Sequence, residues 1–222
     1  MGKSKTAIVI PAFNESETIT DVISNYDQYG DLIIIDDGST DSTSKILEEF
    51  STIKVLSHPS NLGYEQALST GISYVIDTGY EYVITTDADG ELKHNAIDKI
   101  KAKLEKGNAM VIGCRASKNR FIEETFGKLS SILFNINDPL CGMKGYSTDF
   151  INRYGFFDKK RMIGTELLAY GIRDKASIQE ISIDVKKRKG NSRFGGSIQS
   201  FFRISRVIIL FIRISLGSKR NI

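Results

Sequence analysis

Three short apolar segments, each rich in β-branched residues, stop abruptly in acidic and small polar residues. Their sequences are VIPAFNE at residues 9 to 15, IIIDDGST at 33 to 40 and TTDADGE at 85 to 91. Apolar runs of this length are typical of strands that are buried on both faces. If the strands are parallel neighbours, their polar ends meet at one edge of a sheet, which is the edge where open α/β folds bind ligands.

The rest of the chain alternates between strand and helix patterns. Strands are predicted at residues 6 to 10, 31 to 36, 53 to 57, before Asp87, at 109 to 113 and at 177 to 185. Helices are predicted at 16 to 28, up to Phe50, at 63 to 77, 94 to 106, 121 to 135, 161 to 174 and 199 to 214. This alternation predicts an α/β fold, with a mainly parallel central sheet flanked by helices.

At 222 residues with 41% hydrophobic content, the chain is long enough for one large domain. We predict that this domain covers residues 1 to 196 and that an amphipathic helix and basic tail cover 197 to 222. Cys114 and Cys141 do not form a CxxC pair, and the apolar stretch before Pro11 is too short for a signal peptide. We therefore expect a cytoplasmic protein.

Basic residues are concentrated at the end of the chain. Residues 185 to 222 hold ten of the 30 Lys and Arg and none of the 27 Asp and Glu, which leaves 20 basic against 27 acidic side chains before them. Such a tail favours an anionic membrane surface, a phosphorylated substrate or nucleic acid. We expect no nucleic-acid partner, because a protein that only binds a polyanion has no need of carboxylates at a strand edge.

If the three strand ends converge, one pocket gathers five carboxylates. They belong to Glu15, Asp36, Asp37, Asp87 and Asp89. Carboxylates this close raise one another's pKa unless a cation or hydrogen-bond donors intervene. Their oxygens suit a hard divalent cation, Mg²⁺ or Mn²⁺, and that cation suits a diphosphate. The alternative is that Asp36 and Asp37 only cap the helix that follows.

Other common phosphate-binding and catalytic signatures do not occur. The sequence has neither GxGxxG after the first strand nor GxxxxGK[ST], which argues against NAD and P-loop ATPase chemistry. No Ser-His-Asp triad has a local signature. His58 and His94 lie in turn-like sequences, where we expect solvated side chains.

Eight motifs extend these observations over nearly the whole chain. In order they are VIPAFNE, IIIDDGSTDST, NLGYEQAL, DADGE, VIGCR, DPLCGMKGY, GTELLAYGI and KKRKGNSR. Their order and spacing, from about Ala7 to Gly196, resemble those of the family 2 inverting glycosyltransferases with the GT-A fold. The later motifs are most similar to the dolichol-phosphate or polyprenyl-phosphate sugar transferase branch. An ordered set is far more specific than any single motif.

The resemblance implies a site for a nucleotide-sugar donor, UDP- or GDP-linked. Pro11, Phe13 and Glu15 match the family positions that line the nucleotide. Asp37, with Ile35 before it, matches the position that reads the base.

The DADGE segment would then bind the donor and a cation. In the family, Asp87, with Ala88 beside it, faces the nucleotide sugar, and Asp89 matches the main metal ligand. Glu91 stands where the lipid-phosphate branch usually has Gln, so it keeps an oxygen ligand, adds charge and leaves the choice between Mg²⁺ and Mn²⁺ open. Arg115 matches an arginine near the donor diphosphate and the acceptor phosphate.

Basic residues near the end of the domain match a loop that covers the active site in this branch. Lys187, Arg188 and Arg193 resemble that loop, and a one-residue ambiguity in spacing leaves Lys187 and Arg188 competing for one role. Gly142 with Lys144 resembles a segment where the branch has Gly and Arg. A basic loop can close over a leaving diphosphate and exclude water.

The acceptor decides whether a catalytic base is needed. A lipid phosphate is already largely ionised near neutral pH, whereas a sugar hydroxyl needs a carboxylate base. Glu166 is the candidate base, with a structural role beside Arg115 or a loop lysine as the alternative. We expect a polyprenyl-phosphate acceptor, with a saccharide or lipid-linked saccharide as the rival. A sugar-phosphate nucleotidyltransferase is less favoured, because its Gly-rich amino-terminal loop is not found.

The helix predicted at residues 199 to 214 bears on localisation. On a helical wheel, Arg203, Arg206 and Arg213 share one narrow sector, and apolar residues fill the rest. This pattern predicts an interfacial helix on an anionic leaflet, with the protein peripheral on the inner face of the membrane. The alternative is docking against the protein's own body or a second copy. The sequence leaves the oligomeric state open.

Overall fold

Seven strands form one sheet in the computed structural model, which describes residues 5 to 116, 118, 120 to 186 and 198 to 218. The strands are β1 (Thr6–Ala12), β2 (Asp31–Asp36), β3 (Lys54–Ser57), β4 (Tyr82–Thr85), β5 (Met110–Arg115), β6 (Lys144–Ser147) and β7 (Ile178–Ile183). Their order across the sheet is β3-β2-β1-β4-β6-β5-β7. Only β6 runs antiparallel to its neighbours in this described sheet, so the predicted mainly parallel α/β fold is confirmed.

Helices flank the sheet. They are α1 (Ile19–Tyr26), α2 (Thr43–Glu48), α3 (Tyr64–Asp77), α4 (Ile97–Glu105), α5 (Phe121–Phe134), α6 (Thr148–Asn152), α7 (Glu166–Arg173) and α8 (Ile198–Ser215). In α3 the buried side chains recur at helical spacing and face the sheet. Gly71 of α3 lies so close to Val9 and Ile35 that a Cβ there would overlap both side chains. The small residue therefore sets the close approach of α3 to β1 and β2.

Two regions differ from the sequence predictions. The strand β6 and the short helix α6 were not predicted, because β6 is only four residues long and contains Gly145. The helix predicted from residue 161 begins at Glu166 instead. Before it, Arg161, Ile163 and Gly164 have positive φ angles of 52°, 56° and 67°, which a helix does not allow.

The antiparallel direction of β6 matters for the site. The strands β1, β2, β4 and β5 all end at one edge of the sheet, whereas β6 begins there. Lys144, the first residue of β6, pairs with Thr85 of β4 and Ile112 of β5. If β6 ran parallel to its neighbours, as a regular alternation of strands and helices would have it, Lys144 would lie at the opposite edge of the sheet.

The terminal helix α8 packs against α5 and α7. Val207 and Phe211 on its inner face are fully buried. The Phe211 ring lies between those of Phe126 and Phe134, at centroid distances of 5.2 and 5.8 Å. One face of α8 therefore docks on the protein's own body. None of the described helices combines the length and apolarity needed to cross a membrane.

Candidate active site

Asp87 lies just beyond β4, at the carboxyl edge of the sheet. Tyr64 Oη, at the start of α3, donates to Asp87 Oδ1 over 3.2 Å. Gly142 packs directly against this carboxylate, so a side chain at that position would overlap it. Burial, together with the charge of Asp89, raises the pKa of Asp87 to about 6. Negative charge is thus concentrated at one point of the edge, where a bound cation would lower that pKa.

Asp89 and Glu91 lie in the turn that follows. The Glu91 amide donates to Asp89 Oδ1 over 3.0 Å, which orients the Asp89 carboxylate. Gly90 has a φ of 67°, a conformation that favours glycine. The turn therefore fixes Asp89 beside Asp87, and both carboxylates stand at the same edge.

The chain that leads to the basic segment is joined to this turn. The Lys186 amide donates to the Glu91 carbonyl over 2.7 Å. Lys187, Arg188 and Arg193, which the sequence assigns to a loop over the site, lie outside the described residues.

A buried lysine stands at the same edge. Lys144 is 2% exposed, and its ammonium makes no hydrogen bond or ion pair to the described part of the chain. Burial lowers its pKa, against the opposing charges of Asp138 and Asp87. A phosphate oxygen would supply the partner that this ammonium lacks among the described residues.

Arg115, at the end of β5, is held by acidic neighbours. Its Nε lies 2.8 Å from Asp138 Oδ2, and its Nη2 lies 3.0 Å from Asp138 Oδ1. Nη2 also lies 3.4 Å from Glu123 Oε2. The guanidinium is therefore a fixed positive charge at the edge where the sequence expects the phosphates, with much of its donor capacity already used.

The loop after β1 reaches the same edge. Glu15 is buried, and the Thr18 hydroxyl lies 2.8 Å from both Glu15 Oε2 and the Ala88 carbonyl. Phe13 is half-buried, whereas Pro11 is buried within β1. The structure thus brings the predicted nucleotide-lining segment next to Asp87-Ala88-Asp89.

Asp37 has a set of internal partners. Its carboxylate accepts from the Leu62 amide over 2.9 Å and from the Gly63 amide over 2.8 Å. His58 Nδ1 lies 2.6 Å from Asp37 Oδ1, and His58 Nε2 lies 3.0 Å from Thr70 Oγ1. The expectation of a solvated His58 is therefore wrong, because the imidazole bridges Asp37 and α3.

The neighbouring residues of β2 have structural contacts. The Ser39 amide donates to Asp36 Oδ1 over 3.0 Å, and the Ser44 hydroxyl donates to Asp36 Oδ2. Asp36 thus stabilises the turn before α2, although Ser42 rather than Asp36 stands at the N-cap of that helix. Ile35 is fully buried and packs on Gly71, so its side chain belongs to the core.

Glu166 is fully buried at the start of α7. Its carboxylate accepts from the Lys160 amide over 2.6 Å and from Lys160 Nζ over 3.0 Å. Arg115 is not among its hydrogen-bond partners within the described chain. Of the roles that the sequence left open, the one as partner of a loop lysine fits this geometry.

Sequence reasoning assigned no role to several residues that shape the site. Tyr64, Asp138 and His58 each hold a site residue in place. Tyr64 and Asp138 lie within two of the eight motifs, NLGYEQAL and DPLCGMKGY, so their place in a motif could have marked them as site residues. Nothing in the sequence marks His58, because only the fold brings it to Asp37.

The donor set fits a divalent cation only in part. No three His, Cys, Asp or Glu side chains of the described segments are arranged to hold a metal ion. Asp87 and Asp89 supply adjacent carboxylates whose mutual repulsion a cation would relieve. A cation here would take its remaining ligands from a bound diphosphate and water, as Mg²⁺ commonly does.

Comparison with known proteins identifies relatives over most of the chain. Over 230 residues it is 25% identical to UDP-N-acetylglucosamine–dolichyl-phosphate N-acetylglucosaminyltransferase of Methanococcus voltae, covering 89% of this chain and 92% of that one. It is 26% identical over 259 residues to the dolichyl-phosphate beta-glucosyltransferase of Saccharomyces cerevisiae, covering 97% and 76%.

A solved structure has the same fold. Glucosyl-3-phosphoglycerate synthase of Mycobacterium tuberculosis, in complex with Mn²⁺ and UDP-glucose, superposes with a TM-score of 0.74. The match covers 97% of this chain and 80% of that one at 21% sequence identity, so it establishes the GT-A fold alone. Residues 7 to 170 match the model of Glycosyl transferase family 2. This chain therefore belongs to glycosyl transferase family 2 and is a glycosyltransferase.

Proposed function

We propose that this protein is a metal-dependent, inverting glycosyltransferase that moves a sugar from a UDP- or GDP-linked donor to polyprenyl phosphate at the cytoplasmic membrane face. The observation that carries the proposal is Lys144, a side chain 2% exposed whose ammonium is influenced by the charge of Asp87 and forms no hydrogen bond to the described residues. Two relatives named for dolichyl-phosphate acceptors support the choice of acceptor.

On the donor side, Pro11, Phe13 and Glu15 would line the nucleotide, next to the acidic turn. Asp89 and Glu91 would hold Mg²⁺ or Mn²⁺. When bound, that cation would stabilise the negative charge of the departing nucleoside diphosphate. The raised pKa of Asp87, which arises first from burial and then from the charge of Asp89, supports a cation at this point, because a cation would offset both effects.

On the acceptor side, a phosphate oxygen of the lipid would attack the anomeric carbon of the sugar. A new carbon–oxygen bond forms as the bond to the diphosphate breaks, and the configuration inverts. The acceptor phosphate is already ionised, so no base has to remove a proton. Lys144 and Arg115 would hold the phosphate oxygens in line, and Glu166 would keep its contact with Lys160.

The basic segment with Lys187, Arg188 and Arg193 would then close over the bound diphosphate. The hydrogen bond from Lys186 to Glu91 supports this role, because it starts the segment directly beside the acidic turn. Closure would exclude water and so suppress hydrolysis of the donor.

The test is a panel of labelled nucleotide sugars, with and without polyprenyl phosphate and with Mg²⁺, Mn²⁺ or EDTA. We expect a lipid-extractable labelled product only when polyprenyl phosphate and a divalent cation are both present. Asp89→Asn should abolish it, whereas Glu105→Gln, at an exposed acid at the end of α4, should not. If sugar is transferred only to free saccharides, the acceptor is a saccharide and not polyprenyl phosphate. If the protein stays fully active in EDTA, the reaction does not need a divalent cation.

A further inference from the structure

The guanidinium of Arg115 is held in one orientation by its neighbours. The Asp138 carboxylate accepts from Arg115 Nε over 2.8 Å and from Nη2 over 3.0 Å. Nη2 also donates to Glu123 Oε2 over 3.4 Å, so these contacts use the Nε hydrogen and both hydrogens of Nη2. Nη1 makes no hydrogen bond to any residue that the structure describes. Its pair of N–H groups therefore remains to donate to a phosphate.

Asp138 sets the direction in which Nη1 points. Because its carboxylate lies along the Nε–Nη2 side of the guanidinium, Nη1 is left on the side away from it. The same carboxylate accepts from the Arg115 backbone amide over 3.1 Å, which joins it to the end of β5. Asp138 is buried, so little water competes for these contacts. A shift of Asp138 would turn the donors of Nη1 away from their present direction.

Asp138 itself lies in the loop between α5 and β6, and Glu180 of β7 holds it there. The Glu180 carboxylate accepts from the Asp138 amide over 3.0 Å, from the Asn137 amide over 2.8 Å and from Asn137 Nδ2 over 2.7 Å. Hydrogen bonds to an ionised carboxylate are stronger than those between neutral groups. In the parallel pairing of β5 and β7, Glu180 lies opposite Ile112, which precedes Arg115 on the same strand. Asp138 therefore bridges two neighbouring strands, since it bonds Arg115 on β5 and Glu180 on β7.

The helix α5 supports the same loop from the other side. The Ser131 hydroxyl donates to Asn137 Oδ1 over 2.9 Å. Gly127 lies so close to the Asn137 carbonyl that a Cβ there would overlap it. These contacts locate Asn137, whereas the Asp138 amide is bonded by Glu180. Loss of the Glu180 carboxylate would thus release Asp138 while the loop stayed attached to α5.

We propose that Glu180 is a positioning residue for sugar transfer: it holds Asp138, and Asp138 orients Arg115 so that Nη1 faces the phosphates. The inference rests on the proposed function, in which Arg115 holds phosphate oxygens in line for the displacement. Such a reaction is sensitive to small errors of position, since a misplacement of about 1 Å can cost on the order of a hundredfold in rate. The alternative role of Glu180 is to stabilise the loop without any effect on Arg115.

The kinetics of Glu180→Gln test the proposal. Glutamine keeps the shape, but its NH₂ group opposes backbone N–H donors where a carboxylate oxygen accepts. We expect kcat/KM for polyprenyl phosphate to fall roughly tenfold. Glu180→Asp, which keeps a carboxylate, should recover part of this loss, and it replaces the glutamine variant if that variant does not fold. Glu81→Gln is the matched control with wild-type kinetics, because Glu81 pairs with Lys5 at the opposite edge of the sheet.

A double-mutant cycle with Arg115→Lys shows whether Glu180 acts through Arg115. Lysine keeps the positive charge but lacks the planar set of donors that Asp138 orients. In the Arg115→Lys background, Glu180→Gln should therefore change kcat/KM by less than about twofold.

Exchange of the Arg115 Nε hydrogen gives a measurement that does not depend on turnover. In protein with ¹⁵N-labelled arginine, the Nε–H signal that is missing from Arg115→Lys belongs to Arg115. The bond to buried Asp138 should slow the exchange of this hydrogen with solvent, and Glu180→Gln should speed that exchange roughly tenfold. Glu81→Gln should leave the rate unchanged.

Several results would overturn the proposal. They are wild-type kinetics of Glu180→Gln, an equal loss of kcat/KM in the wild-type and Arg115→Lys backgrounds, and unchanged exchange of the Arg115 Nε hydrogen. An equal loss would mean that Glu180 acts on the loop alone. Failure of the proposed function has a different result: no protein would turn over polyprenyl phosphate, and the exchange rate would still decide whether Glu180 orients Arg115.

Discussion

At the scale of single residues, Lys144 combines three properties that rarely occur together in a stable fold. It is buried, it carries a lowered pKa, and no described residue forms a hydrogen bond or ion pair with its ammonium. Burying such a charge costs folding free energy unless it gains a partner. A bound phosphate would provide that partner. Relief of the unfavourable burial of the charge would then add to the binding free energy of the substrate.

Lys144→Met should separate these two effects. Methionine keeps an unbranched side chain of similar length, so the core stays filled and we expect the free energy of unfolding to stay the same or rise. Loss of a charge-assisted contact should lower kcat/KM for the acceptor roughly tenfold to a hundredfold. Urea unfolding and steady-state kinetics check both parts. A stable variant with wild-type kinetics would remove Lys144 from the site.

His58→Gln tests the bridge between Asp37 and α3. The substitution should lower the free energy of unfolding by about 1 to 2 kcal/mol, because the imidazole contacts to Asp37 and Thr70 are lost. The donor KM should rise several-fold as the turn loosens. His94→Gln is the control, since His94 contacts Tyr29 instead. An equal change of donor KM in both variants would contradict a specific role for His58.

The residues also show where sequence reasoning ends. The convergence of the strand ends followed from hydrophobic pattern and strand direction, and the structure confirms that edge. The hydrophobic pattern did not predict that His58 is buried or that Glu166 is bound by Lys160. The His58 contact depends on Thr70, which lies in another element, and the Glu166 contact depends on the irregular loop before α7. Local pattern specifies which elements form, whereas the environment of a polar side chain is set by tertiary contacts.

At the scale of elements, β6 illustrates the same limit. Its residues, KGYS, have weak intrinsic strand character, and only pairing with β4 and β5 makes them a strand. Gly145 is required there, because a Cβ would overlap Ile100 and Leu104 of α4. Reversal of this one strand places Lys144 at the active edge, which the regular alternation would not predict.

The irregular loop before α7 is stabilised by Asp158. This carboxylate accepts from the Met162 amide over 2.8 Å and from the Gly164 amide over 2.6 Å. Between them, Ile163 has a φ of 56°, an uncommon conformation for a β-branched residue. Burial, with Glu65 and Glu166 nearby, raises the pKa of Asp158 to about 7, although the amides favour its charged form.

The stability of the protein should therefore depend on pH through Asp158. The pKa rises from 3.8 in the unfolded chain to about 7 in the fold, so between those values the folded state holds a proton that the unfolded state has lost. Asp158 thus contributes most at low pH, and its contribution falls by an amount on the order of 4 kcal/mol as the pH rises to about 7.

Urea unfolding of the wild type and Asp158→Asn across this pH range gives the measurement. Asn cannot titrate, so the stability of the wild type relative to the variant should decline from pH 4 to 7 and then level off. The substitution also changes stability by replacing a carboxylate oxygen with an amide group. That change does not depend on pH, so it does not affect the pH dependence of the difference. A difference that stays constant with pH would mean that Asp158 titrates near its ordinary value.

At the scale of the whole molecule, α8 connects the carboxyl edge of the sheet to the outer surface. Arg203, on its partly covered side, pairs with Glu65 of α3, one residue from Tyr64. Arg206 donates to the carbonyls of Lys160 and Arg161 in the loop before α7. The helix thus contacts two segments that border the site, while its outward face remains exposed.

The coupling between Arg203 and Glu65 can be measured by a double-mutant cycle. Arg203→Met leaves the buried Glu65 carboxylate without this cation, so it should lower the free energy of unfolding by about 2 to 4 kcal/mol. Glu65→Gln together with Arg203→Met should be less destabilised than Arg203→Met alone, because no buried charge remains. Arg213→Met, at an exposed position on the outward face, should change stability by less than about 0.5 kcal/mol. Additive effects of the two substitutions would show that the ion pair does not couple α8 to α3.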